Sequence, residues 1–162
     1  MRPEEQHFEV LYRDHATQVL AYLRRRTDRE MAHDVAAEVF AVAWRRLAEV
    51  PDPPLPWLLG VARNQLANSR RAARRRSSLQ RRIAQQRPHG LDSHDGVVGD
   101  VVAALAALSS DDVELVTLIG WDELTPSEAA AVLGITAQAA RTRLSRARRR
   151  LEELLDVEER QP

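Results

Sequence analysis

Gln138, Arg141, Thr142, Ser145, Arg146 and Arg149 share a helical pattern that begins after Thr136, and their residue types are those that read DNA. A guanidinium forks onto guanine and a carboxamide onto adenine. Small hydroxyls accept several partners, and the remaining guanidiniums bind phosphates. At 100° per residue, Gln138, Thr142, Ser145 and Arg149 lie opposite the apolar positions Ala140, Leu144, Ala147 and Leu151, with Arg141, Arg146 and Arg148 at the flanks. A polar face of this kind is also what any solvated bundle helix presents. The residues before it decide between the two readings.

Two short helices must hold that face in place. Thr125 is a natural N-cap, Pro126 suits the first helical position, and Glu128 lies three residues after the cap, where its carboxylate reaches back to the cap N–H. Ala129, Val132 and Leu133 give this helix an apolar side. Gly134 can end it in the left-handed conformation without a Cβ penalty, Ile135 anchors the turn, and Thr136 caps the next helix. Capped helix, glycine turn and capped helix with a basic outer face together predict a DNA-reading helix-turn-helix.

A second candidate site is a run of charge. Between Arg63 and Arg87 there are nine Arg and no acid, a stretch that repels itself unless an anion neutralises it. It continues a helix that starts near Trp57, with Leu58, Val61, Ala62 and Leu66 facing inward, after Pro51, Pro53, Pro54 and Pro56 force an extended loop. Upstream, a helix over 29–48, capped by Asp28 or Thr27, has the apolar face Ala36, Val39, Phe40, Ala43 and Leu47. It leaves Asp34, Glu38, Arg45 and Arg46 outside, which by themselves read as solvated surface. The first helix, 4–26, carries the stripe Phe8, Leu11, Tyr12, His15, Val19 and Leu23.

Composition bounds the rest. With 162 residues and 4% aromatics, the chain suits two small helical cores better than one large one. It has no Cys, and its five His have no partners at ligand spacing, so no metal or other cofactor is expected. No apolar run approaches a membrane span, and the expectation is a soluble cytoplasmic protein. The formal net charge of zero hides a sorting. Residues 1–87 hold 17 Arg against 10 acids, 88–135 hold 9 acids and no Arg, and 136–162 hold 7 Arg against 5 acids. The chain lacks a Gly-rich phosphate loop, a Ser/His/Asp set and a zinc motif, so an enzyme is not expected. The expected fold is all-α. Two small helical domains, 1–87 and 98–162, are joined by a flexible linker over 88–97, and the C-terminal one is the helix-turn-helix.

Taken together these residues resemble bacterial RNA polymerase sigma factors of the extracytoplasmic-function (ECF) type. The likeness covers nearly the whole chain. AHDVAAEVFAVAWRRL is similar to the family's second conserved region, PWLLGVARNQLANSRRAARRR to the part that recognises and melts the −10 element, and Leu108 to Leu155 to the fourth region. The resemblance implies a non-enzymatic promoter-specificity subunit that binds core RNA polymerase at its clamp helices and flap, binds promoter DNA, and has an anti-sigma factor as partner. It assigns polymerase binding to Asp34, Val35, Glu38, Val39 and Arg45, and −10 contacts to Pro53, Trp57, Arg63, Asn64, Asn68, Arg71, Arg74 and Arg75. The −35 contacts fall to the six residues named first. Two positions depart from the family pattern: Gln138-Ala139-Ala140 replaces a Gly-Thr-Val type opening of the recognition helix, and Asn68 stands where an acid is common. The rival readings are a free-standing helix-turn-helix regulator, a protein that sequesters another factor and, far behind, a nuclease or nucleotidyl transferase.

Overall fold

The computed structural model describes residues 2–79 and 96–158, and among these there are helices and no strands. The helices are α1 (Pro3–Arg24), α2 (Arg29–Arg45), α3 (Leu55–Leu79), α4 (Gly96–Ala106), α5 (Ser110–Gly120), α6 (Pro126–Leu133) and α7 (Ala137–Glu158). The chain divides into two compact units, 1–90 and 91–162. No helix among the described residues is long and apolar enough to cross a membrane.

In the first unit α1, α2 and α3 each pack on the other two. Asp28 caps α2, its side chain accepting from the Met31 N–H. The core is Leu11, Val19, Tyr22 and Leu23 from α1, Ala32, Val35, Val39, Phe40 and Ala43 from α2, and Leu58, Leu59, Ala62 and Leu66 from α3. Tyr12, expected on the buried stripe, is 51% exposed, and Tyr22, outside that stripe, is fully buried. The reason is geometric, since a helix wedged between two neighbours buries a wide arc and Tyr22 lies three residues from Val19 on the inner side of that arc. Tyr12 sits at its edge, its ring packing against Phe40 with centroids 4.7 Å apart, next to a Phe8–Trp44 pair at 5.2 Å. The buried side of α2 runs through Ala32 and Val35 rather than Ala36 and Leu47. The α-helix stops at Arg45, followed by a 3-10 turn over Leu47–Glu49.

In the second unit α7 packs on α4, α5 and α6. Ser109 caps α5, accepting from the Asp112 N–H at 3.2 Å. The core is built from small side chains, with Ala104, Ala129, Ala130, Ala140 and Ala147 buried among Leu105, Leu115, Leu118 and Leu144. Helix α4 begins at Gly96, inside the segment expected to be linker, because its apolar run starts there. The remainder of that linker, together with Arg81, Arg82 and Arg87, lies outside the described residues.

Candidate nucleic-acid interface

Three local devices set α6 against α7. Thr125 Oγ1 accepts from the Glu128 N–H at 3.2 Å while Glu128 Oε2 accepts from the Thr125 N–H at 2.7 Å, closing a reciprocal capping box with Pro126 in the first helical turn. Gly134 adopts φ 67° and ψ 32°, and the N–H groups of Gly134 and Ile135 both return to the Ala130 carbonyl. Thr136 Oγ1 accepts from the Ala139 N–H at 3.1 Å, capping α7. Each feature was expected from the sequence.

Ala140, Leu144 and Ala147 are buried and Leu151 half-buried, which turns the opposite side of α7 outward. Gln138, Arg141, Thr142, Ser145, Arg146 and Arg149 are all exposed there, and Arg148 with them. Arg143, which the sequence reading left out, is half-buried. Arg141 Nη2 donates to Gln138 Oε1 at 3.1 Å, so the first two residues of this exposed face form one linked unit. An open groove of about 530 Å³ runs from Pro126 along Arg141, Leu144, Ser145, Arg148, Arg149 and Glu152. It joins Pro126, at the start of α6, to three guanidiniums of α7. The carboxylate of Glu152 in that groove was not foreseen. It lies four residues after Arg148, a spacing that marks helix neighbours.

Helix α3 presents a second surface. Asn64, Asn68, Arg71 and Arg75 recur at spacings of four, three and four and are exposed, forming one outward stripe. Arg71 Nη2 donates to Asn68 Oδ1 at 2.5 Å. Arg63, Arg70 and Arg74 form the adjacent stripe, with Arg63 half-buried. Arg70, absent from the sequence assignment, reaches across to donate to the Arg26 carbonyl at the end of α1. In the loop before α3, Pro53 is exposed and preceded by a cis peptide bond. Trp57 is half-buried, with the Arg46 guanidinium 5.6 Å from its ring centroid. Arg46 is held by Glu49, with Nε at 3.0 Å and Nη2 at 2.5 Å. That hydrogen bond, and then the positive charge of Arg46, lower the Glu49 carboxyl below its ordinary value.

On α2, Asp34, Glu38 and Arg45 are exposed and fall within a strip about 40° wide at 100° per residue. Val35 and Val39 do not belong with them. They are 2% and 0% exposed, so they face α1 and α3 rather than a partner, which corrects the sequence assignment.

The geometry defines a class, a two-unit helical protein that carries a capped helix-turn-helix in one unit and an arginine-lined helix in the other. Residues 11–76 match sigma-70 region 2, and residues 99–151 match sigma-70, region 4. The chain belongs to the sigma-70 family, as a promoter-recognising sigma factor of the ECF type. Over 143 residues it is 29% identical to the RNA polymerase sigma factor CnrH of Cupriavidus metallidurans, an alignment spanning 77% of this chain and 73% of that protein. Among solved structures it is similar to the sigma factor RpoE in complex with the anti-sigma factor NepR from Bartonella quintana. There the TM-score is 0.67 and the identity 26%, over 93% of this chain and 97% of the other. It is also similar to CnrH in complex with the cytosolic domain of CnrY, with TM-score 0.59 and 27% identity, over 93% and 88% of the two chains.

Proposed function

We propose that the chain joins core RNA polymerase and directs initiation at promoters with −35 and −10 elements, α7 engaging the first and α3 with its preceding loop the second. The observation that carries this is the exposed Gln138–Arg141–Ser145–Arg149 face of α7, held outward by three caps and a buried apolar seam. Base-reading types at the start of the helix and guanidiniums further along suit a helix that enters the major groove by its N-terminal end. The asparagine–arginine stripe of α3 suits a single strand, with amides for base edges and guanidiniums for phosphates. Asp34, Glu38 and Arg45 supply the charged surface for the polymerase clamp, and the flap is the expected partner of the second unit. Because the similar RpoE is complexed with the anti-sigma factor NepR, and CnrH with the cytosolic domain of CnrY, we infer an anti-sigma partner here too. Bond chemistry belongs to the polymerase, and the site of action is the cytoplasm.

The test is co-purification with core polymerase followed by run-off transcription from promoters selected out of a random library. The expected result is a discrete start site that depends on the chain. Failure to associate with core, or association without selective initiation, refutes the proposal.

A further inference from the structure

Among its described residues, the first unit gathers most of its arginines at one end. Helix α1 stops at Arg24 and α2 starts at Arg29, so the turn between them brings Arg24, Arg25, Arg26 and Arg29 to the same end of the bundle. Helix α3 meets that end at Arg70, through its bond to the Arg26 carbonyl, and runs on past the contact with four further arginines. Two acids, Asp28 and Glu30, share the turn, and Asp28 is already engaged as the cap of α2.

Ion pairing does not explain Arg24 and Arg29. Both are exposed, and among the described residues neither forms an ion pair. Arg29 occupies the first position of α2, where the partial positive charge of the helix end disfavours a cation. Arg24 Nη2 donates to His33 Nε2 at 3.3 Å, and His33 is four residues from Arg29 on the same side of α2, so the two guanidiniums are brought to one patch of the surface. The turn beneath them is stiffened, because the Arg26 guanidinium stacks 3.7 Å over the Tyr22 ring and also donates to the Tyr22 carbonyl at 3.0 Å. The nearby aromatic ring is therefore buried and covered. Unlike α3, whose amides can reach base edges, the turn offers guanidiniums and no bare ring for a base to stack on, and so suits the phosphates of a duplex.

We propose that the α1–α2 turn, through Arg24 and Arg29, binds the backbone of double-stranded promoter DNA beside the segment that α3 engages. This rests on the promoter-binding reading above. It adds a duplex-gripping surface to a unit whose other contacts are with a melted strand.

The test uses the full chain assembled with core polymerase and a fluorescent duplex promoter fragment. Anisotropy titrations run from about 50 to about 300 mM salt, and each lost phosphate contact should flatten the slope of log K against log[salt] by roughly 0.9. Arg24→Gln with Arg29→Gln should therefore lower the slope by about 1.8. Base preference should stay unchanged, and Arg24→Lys with Arg29→Lys should keep the slope. If the Gln pair lowers the melting temperature, Arg29→Gln alone carries the test, since removing a cation from a helix start does not weaken the helix. An unchanged slope overturns the inference, as does loss of association with core polymerase, which would place the two arginines at that interface instead. Should the wild-type assembly itself fail to bind promoter, the reading above falls instead.

Discussion

The bond from Arg141 to Gln138 makes a quantitative prediction about −35 readout. The pair is three residues apart on an exposed face, so the bond itself contributes at most about 0.5 kcal/mol to folding. On the proposed reading the bond aims the guanidinium at a base edge, and a good base-edge contact carries roughly 1–3 kcal/mol of discrimination. Arg141→Ala should then cost roughly 1–3 kcal/mol on the preferred sequence and relax preference at one or two base pairs. Gln138→Ala removes its own contact and also unties Arg141, so the double variant should lose less than the sum of the two singles. The expected coupling is about 0.5–1 kcal/mol, the range for residues that share a hydrogen bond. Arg149→Ala, by contrast, should weaken all sequences alike and flatten the salt slope by about 0.9. The assay is competition binding of the reconstituted assembly to a promoter library randomised across the −35 element. Additivity within about 0.3 kcal/mol, together with an unchanged library profile, would refute the pairing and the assignment of the reading face.

Glu123 holds φ 58° just ahead of α6, a conformation that costs an L-residue about 1–2 kcal/mol. Glu123→Gly relieves that cost at an entropic penalty of roughly 0.5–1 kcal/mol, so denaturant melts should show a net gain of about 0.5–1 kcal/mol. Thr125→Ala deletes half of the capping box and should cost about 1 kcal/mol, lowering the melting temperature of the second unit by about 4–8 °C in a calorimetric scan. Asp34→Arg with Glu38→Arg should abolish capture by core polymerase while leaving helicity unchanged by circular dichroism, because exposed charges contribute little to folding and much to association. Wild-type capture of that double variant removes α2 from the polymerase interface.

The helix-turn-helix was legible because its determinants are local. Thr125 and Glu128, Gly134 and Ala130, and Thr136 and Ala139 act over three or four residues, a span in which side-chain chemistry alone sets the backbone. What escaped depends on where other helices lie. Tyr12 and Tyr22 lie ten residues apart on α1 and about 80° apart around it, and the placement of α2 and α3 decides which one is enclosed. Val35 and Val39 were assigned to a surface by likeness, although the spacing of Ala32, Val35, Val39 and Ala43 already marks a buried stripe. The bond from Arg70 to the Arg26 carbonyl joins residues 44 apart in the chain, beyond any periodicity argument.

Helix α7 shows why the reading face and the fold tolerate each other. Six arginines stand between Arg141 and Arg150, the first of them near the positive end of the helix dipole, and Glu152, Glu153 and Asp156 follow toward the negative end. Both placements oppose the macrodipole, so intrinsic electrostatics weaken this helix. The ion pair Arg150–Glu153, at 3.5 Å and exposed, offsets little of that. Stability must come from the other side, where Ala140, Leu144 and Ala147 pack on neighbouring helices. A seam of small residues draws the backbones together by close approach rather than by large buried area. Charge on the outward face is then free to follow what it binds. On the proposed reading, the repulsion among its guanidiniums, little compensated in the free protein, is relieved when phosphates replace the solvent around them.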